Sequence, residues 1–308
     1  MASTPEPPAH DAQDGCHEAS GTADDARSCG VGVGDGGAAP RSVSAPVPPT
    51  SRSPSPRAAP EPFEPALAVV VAGIATEAGL DVTHESARRS CVVLAPHPDD
   101  ETLGAGATIM RKIGAGTAVH VVVATDGSKA PPGDPVEVAA LRRAELAEAG
   151  RILGLGPEDV TQLGFVDGTL DPGDDALVEA VAAVVAARRP AEVLVTGDSD
   201  PHADHAALFR ATVRALGRAA WPARLLVYPL WQFGQPDLLR RMCRQSPPEL
   251  VSTEGYRQRK RRAVAAYRSQ LAVDDADEEG LRPSFLTLFD TPWEVFFPVS
   301  VPGAPAPG

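Results

Sequence analysis

The chain has 308 residues, 43% of them hydrophobic, and a net charge of −13. That length holds one large domain or two small ones, and the apolar share is ordinary for a packed core. The acidic balance argues against a nucleic-acid partner, which needs a basic face, and the cysteines at 16, 29, 91 and 243 form no C-x-x-C pair, so neither a disulfide framework nor a Cys-rich zinc site is expected.

Residues 1–60 are rich in Pro, Ser, Gly, Ala and Asp and nearly free of large apolar side chains. Such a segment cannot bury enough surface to offset chain entropy, so a disordered N-terminal tail is expected. No basic start is followed by an apolar run, so no signal peptide is expected. The longest apolar run in the body, 66–75, is too short to span a bilayer. Together with the cysteine usage, this reads as a cytoplasmic protein. A single domain is expected over 61–301, with a short Pro-rich tail over 302–308 and no repeat of 20–50 residues.

The body alternates. A helix is expected over 63–78. The run Cys91-Val92-Val93-Leu94-Ala95 is continuously apolar, as a strand buried on both faces should be. A helix over about 101–113, a strand over 119–124, a charged amphipathic helix over 135–153 and a strand over 160–165 follow. Then come a helix over 174–188, a strand over 193–196, a helix over 203–219 and a strand over 225–230. A basic helix over 254–270 and a last strand over 293–299, a candidate edge strand, close the body. This pattern predicts an α/β fold, a mostly parallel sheet with helices on both faces and its sites at the carboxyl ends of the strands.

Two clusters carry chemistry. The first, Ala95-Pro96-His97-Pro98-Asp99-Asp100-Glu101, sits between a buried strand and a helix. Three carboxylates and an imidazole crowded at a strand end are costly unless a cation compensates. His97 and Asp100 can point to one metal and leave Asp99 facing a water. The plain alternative is a solvated turn with Asp99 or Asp100 capping the helix. The second cluster, Asp198-Ser199-Asp200-Pro201-His202-Ala203-Asp204-His205, also follows a strand and opens a helix. In a parallel sheet both clusters fall at one edge. Mixed imidazole and carboxylate donors suit zinc better than magnesium or calcium, which prefer oxygen alone.

These motifs resemble the LmbE-like, or PIG-L, deacetylase family. The leading signature Pro96-His97-Pro98-Asp99-Asp100-Glu101 and the later His202-Ala203-Asp204-His205 match it. Arg142-Arg143-Ala144-Glu145, Leu163-Gly164-Phe165-Val166-Asp167-Gly168 and Tyr267-Arg268-Ser269-Gln270 look like its weaker segments. The resemblance implies a Rossmann-like fold and a zinc ion (Zn2+) held by His97, Asp100 and His205. It implies Asp99 as general base, protonated His202 as the oxyanion's partner, and Arg142 and Asp167 as sugar contacts. The implied activity is removal of an N-acetyl or other N-acyl group from an amino-sugar conjugate, with a small molecule or glycoconjugate as partner.

Other readings stay open at this point. Asp204 fits a carboxylate behind a ligand histidine or a helix cap. Arg142 fits a substrate contact or an i, i+3 pair with Glu145. Asp167 and the segment Thr125-Asp126-Gly127 fit pocket walls or turns. Gly104-Ala105-Gly106 does not complete a nucleotide-binding loop, and acidic neighbours would repel a pyrophosphate. The basic stretch 257–262 reads as a solvated face. A metal-dependent phosphoesterase and a non-catalytic metal- or sugar-binding protein are the competing functions.

Overall fold

The structure, a computed structural model, describes residues 65–219, 221–272, 274 and 280–302. The tail expected over 1–60 and all but the first residue of the tail expected over 302–308 lie outside the described residues.

Helix α1 (Pro65–Ala78) leads through β1 (Leu80–Asp81) and α2 (Thr83–Ala87) into β2 (Cys91–Ala95). Then come α3 (Asp100–Gly114), β3 (Val119–Thr125), α4 (Pro135–Leu153), β4 (Val160–Phe165), α5 (Asp175–Arg188), β5 (Glu192–Val195), α6 (Ala203–Ala219) and β6 (Arg224–Val227). The described chain ends with α7 (Pro236–Gln245), β7 (Glu249–Ser252), α8 (Arg257–Val264), α9 (Pro283–Leu286) and β8 (Trp293–Val299). The strands form one sheet in the order β1-β7-β8-β6-β5-β2-β3-β4. Neighbours are parallel except where β8 pairs with β6 and β7. Helices cover both faces, so the expected α/β architecture is the observed one.

The local causes are legible. Every residue of β2, β3 and β5 is buried, which fits the unbroken apolar run of β2 and the largely apolar sequences of β3 and β5. Each fully buried valine there contributes roughly 1.5–3 kcal/mol. Asp134 caps α4 by accepting from Val136 N (3.0 Å) and Glu137 N (3.2 Å), Pro135 opens it, and Gly154 ends it in a left-handed conformation. Gly104 lets α3 approach the ring of Tyr228, because a Cβ there would lie 2.2 Å from a ring carbon.

The topology fixes where a site can form. From β2 the chain winds outward through β3 and β4, then returns to place β5 on the other side of β2. The strand order reverses between β2 and β5, and the crevice beyond the carboxyl ends of such a pair is where open parallel sheets bind ligands. The two sequence clusters follow these two strands. At the opposite end of the sheet, Lys112 is fully buried and donates to Glu192 (2.8 Å), Arg89 O (2.8 Å) and Ser86 O (2.5 Å), tying α3 to the start of β5.

Three local expectations change. The helix expected over 254–270 runs only over Arg257–Val264, after a turn at Gly255 with φ 80°, and a 3₁₀ turn covers Arg268–Gln270. Leaving the helix lets the Tyr267 hydroxyl reach Glu101 and lets Ser269 N donate to Glu145 (2.8 Å). The strand expected over 225–230 ends at Val227, and Pro229 beyond it has no N–H for a ladder. The last strand is interior, between β6 and β7, because the short β7 extends the sheet past it.

Candidate metal centre and active site

The first cluster turns tightly out of β2. Asp99 has φ 128°, a conformation uncommon for a residue with a side chain, and a local cost that surrounding contacts must hold. Those contacts are present. The Asp99 N–H donates to Glu101 Oε2 (3.1 Å), and Arg142 donates to the carbonyl of Pro98. Glu101, 1% exposed, also accepts from Thr102 Oγ1 (2.5 Å) and the Tyr267 hydroxyl. Asp99 stands at the start of α3 but its side chain caps nothing, and Asp100 Oδ2 turns back to accept from His97 N (3.0 Å). The capping alternative therefore fails for both residues.

Asp100 Oδ2 joins the clusters. It lies 3.2 Å from His97 Nδ1 and 3.4 Å from His205 Nε2. Donors bound tetrahedrally to zinc stand about 3.3 Å apart, given bond lengths of about 2.0–2.1 Å. His202 completes a group of rings, with centroids 4.7 Å from His97 and 4.8 Å from His205. Two donor groupings bring all their ligand atoms within 4.8 Å of one another, His97 with His202 and His205, and His97 with Asp167 and Asp204. His97 is common to both.

Carboxylates stand behind the imidazoles. Asp204 Oδ2 is 3.1 Å from His97 Nε2, and its two oxygens also accept from Gly168 N (2.7 Å) and Leu170 N (3.1 Å). Both oxygens are thus engaged away from α6, which is the geometry of a carboxylate behind a histidine rather than of a cap. Asp200, absent from the sequence-derived site, has Oδ2 3.3 Å from His205 Nδ1, close enough to pair but not aligned as a hydrogen bond. Asp167 faces His97 Nε2 with Oδ1 (3.2 Å) and accepts from Lys129 N (3.1 Å) with Oδ2. Asp126, which follows β3, accepts from Asp167 N (3.1 Å) and so positions it.

Arg142 does not pair with Glu145, whose oxygens accept from Ser269. It crosses instead to Ala130 O (3.0 Å) and lies 3.4 Å from Asp99 Oδ2. Gly127, at φ 66°, makes room for it, since a Cβ there would come 3.2 Å from the guanidinium carbon. The Arg142 Nε is buried with no hydrogen-bond partner among the described residues.

These contacts set the electrostatics. Burial pushes the Asp99 carboxyl up to about 8, against the pull of Arg142. Burial also raises Asp100, but His205 and His97 more than offset it and bring it to about 2. Burial opposes charge on His97, yet hydrogen bonds to Asp100, Asp167 and Asp204 hold it well above the ordinary histidine value. Burial and the neighbouring imidazoles lower His202. Its Nδ1 accepts from Asp204 N (3.3 Å), so the proton of a neutral ring sits on Nε2.

Six carboxylates, those of Asp99, Asp100, Glu101, Asp167, Asp200 and Asp204, are buried here. Arg142 is the single lysine or arginine among the described residues that line the cavity, which measures about 160 Å³. Such a concentration of buried anions around convergent imidazoles fits a bound cation. The donor set, nitrogen with a carboxylate oxygen, fits zinc. The opposite wall is apolar, with Leu103, Leu230, Trp231, Leu281 and Phe285. Sequence reasoning missed this wall. Its one available signal was that Trp231 follows the carboxyl end of β6.

Comparison with known proteins defines the class. A family model described as PIG-L, GlcNAc-PI de-N-acetylase, matches residues 92–216, which run from β2 through most of α6. A 1D-myo-inositol 2-acetamido-2-deoxy-alpha-D-glucopyranoside deacetylase of Streptomyces avermitilis is 32% identical over 217 residues, covering 61% of this chain and 71% of the relative. Among solved structures, N,N'-diacetylchitobiose deacetylase from Pyrococcus horikoshii superposes with a TM-score of 0.51 at 20% identity, over 60% of this chain and 71% of that one. GalB, the 4-carboxy-2-hydroxymuconate hydratase of Pseudomonas putida, does so with 0.53 at 18% identity, over 69% and 96%. These last two show a shared fold alone, and that fold hosts more than one reaction. The chain belongs to the PIG-L (LmbE-like) family, a family of deacetylase enzymes.

Proposed function

We propose that this protein is a zinc-dependent hydrolase that removes an N-acetyl, or another N-acyl, group from an amino-sugar conjugate, with zinc held by His97, Asp100 and His205. The observation that carries the reading is the position of Asp100 Oδ2, at tetrahedral ligand spacing from a nitrogen of each histidine. Asp99 lines the same cavity and is left over from that trio. A protein that only bound a metal or a sugar would have no use for the spare carboxylate.

Zinc in this position supplies a Lewis acid that acidifies a water and polarises an acyl carbonyl. Asp99 takes the proton of the attacking water and delivers it to the departing amine, giving a carboxylate and a free amino sugar. Arg142 beside Asp99 favours its ionised form. His202, neutral with its proton on Nε2, donates to the acyl oxygen as negative charge develops there. This replaces the protonated ring implied by the family resemblance. Arg142 and Asp167, which line the same cavity, are the proposed contacts to sugar hydroxyls.

No helix among the described residues is long and apolar enough to cross a membrane. The two described cysteines, Cys91 and Cys243, are free and buried, in keeping with the cytoplasmic setting assigned to this reading.

The test is an acetate-release screen over N-acetylglucosamine conjugates, run with zinc and again after chelation. Release that depends on zinc supports the reading. Release of phosphate from phosphate esters without any amide hydrolysis would favour the phosphoesterase instead.

A further inference from the structure

A second cavity of about 250 Å³ lies beside the candidate active site, lined by Val264, Ala265, Leu271, Leu286 and Phe289 and rimmed by Arg257 and Arg261. Three features place it directly against the first. Leu103, three residues after Asp100 in the first turn of α3, lines both. On α9, Phe285 faces the site while the next residue, Leu286, lines the second cavity. The bridge between Leu271 and Leu281 is divided in the same way, Leu281 to the site and Leu271 to the second cavity.

The chemistry on the two sides differs. Around the metal donors the site is polar on one wall only. Its other wall carries Trp231 stacked on Phe285, ring centroids 4.4 Å apart, and Phe285 is followed by Leu286 of the second cavity. Arg257 and Arg261 pair with Asp290, at 2.6 and 2.5 Å, and the buried Lys260 pairs with Glu294 (2.7 Å), so the charged groups of the lining are matched by opposite charges and most of the remaining lining is apolar. The site cavity alone, about 160 Å³, is smaller than pockets that enclose a small-molecule ligand, which run from about 300 Å³ upward. The two together reach that range.

We infer that the second cavity is a subsite for an alkyl or aryl group carried by the substrate, so that the amino-sugar conjugate is amphiphilic rather than wholly polar. The inference rests on the proposed amide hydrolysis for the position of the sugar. The apolar group is either the aglycone or a long acyl chain, since both are attached within reach of the scissile amide.

The experiment compares two matched pairs. One is the methyl and hexyl glycosides of N-acetylglucosamine. The other is N-acetyl and N-hexanoyl methyl glucosaminide. Binding is measured by calorimetric titration to the zinc-loaded full chain carrying Asp99→Asn, and kcat/KM on the chain with Asp99 intact. Each methylene buried is worth about fourfold. The expected result is at least a tenfold advantage for the hexyl member of one pair, and the pair that shows it names the source. Ala265→Trp fills the second cavity from an exposed position and should cut that advantage to within twofold, leaving the methyl glycoside of N-acetylglucosamine unchanged. Thr287→Trp, exposed on the facing wall, repeats the test should Ala265→Trp not fold. Equal binding of short and long members overturns the inference even if amides are hydrolysed, and so does an advantage that survives both tryptophans. Hydrolysis of none of them, with tight hexyl binding intact, overturns the functional reading and leaves the apolar subsite standing.

Discussion

Nε2 of His97 lies 3.1 Å from Oδ2 of Asp204, a residue 107 positions later in the chain. The contact spans the reversal of strand order between β2 and β5. It gives the proposed ligand histidine a carboxylate partner that in turn is fixed by two backbone N–H groups of the loop after β4.

Such partners orient a ligand ring and raise its basicity, and removing one costs about 10–100-fold in metal affinity. Asp204→Asn keeps the shape and hydrogen-bonding reach but loses the charge. The expected outcome is a zinc affinity lower by that factor with the fold intact, read by competition with a chromophoric chelator. Unchanged affinity would mean that His97 does not need Asp204.

The strained backbone at Asp99 sets stability against activity. Asp99→Gly relieves the φ of 128° and removes a buried carboxylate whose burial disfavours charge. It should stabilise the protein by about 1–2 kcal/mol in urea unfolding, after allowing for the greater chain entropy of glycine. Asp99→Asn should retain about one zinc per chain. Both variants should lose amide hydrolysis by roughly 10²–10⁴-fold, the size of a general-base contribution. An Asp99→Asn protein that stays fully active would remove Asp99 from the mechanism.

Zinc uptake should depend on pH through His97. Hydrogen bonds to Asp100, Asp167 and Asp204 hold its proton in the zinc-stripped protein to well above the ordinary value of about 6.5. A raised folded-state value means that charged His97 contributes stability below about 6.5, and that this contribution is lost as pH rises through the folded value. Zinc must displace that proton. The apparent affinity should therefore weaken by about tenfold per pH unit on going down from the folded value, in chelator competition at several pH values. An affinity independent of pH between 6 and 8 would exclude His97 as a ligand.

At the far end of the sheet, Lys112→Met should destabilise the fold by about 3 kcal/mol, because it leaves the buried Glu192 short of a partner. Arg89 (3.3 Å) and Arg224 (2.9 Å) still touch Glu192 and limit the loss. Adding Glu192→Gln should recover more than half of it. Urea unfolding of the single and double variants gives both numbers, and hydrolysis in the surviving folded protein should be unchanged.

The legible parts of the fold were those with long periodic or unbroken apolar patterns. β2, α4, β4, α6 and β8 are found where the residues predict them. β1 and β7, of two and four residues, carry no periodicity of their own, and missing β7 is what made β8 look like an edge. Helix α7 went unread although Pro236 stands at its first position. The expected long basic helix failed because contacts of Tyr267 and Ser269 with α3 and α4 outweigh local helix propensity.

For the site, the sequence by itself determined the candidate donors and the edge at which they gather. Two clusters of imidazoles and carboxylates follow two buried strands, and parallel strands put their carboxyl ends together. Only the tertiary structure decided how the donors meet. It set Asp100 between the rings of His97 and His205, and turned Asp204 from a helix start toward His97 across the crevice. It brought Asp200 behind His205, and drew Arg142 off its helix surface to Asp99. It also assembled the apolar wall of Leu103, Trp231, Leu281 and Phe285 from three separate segments. Spacing along a chain fixes which side chains share an element, but contacts between elements depend on strand order and packing, which local sequence does not encode.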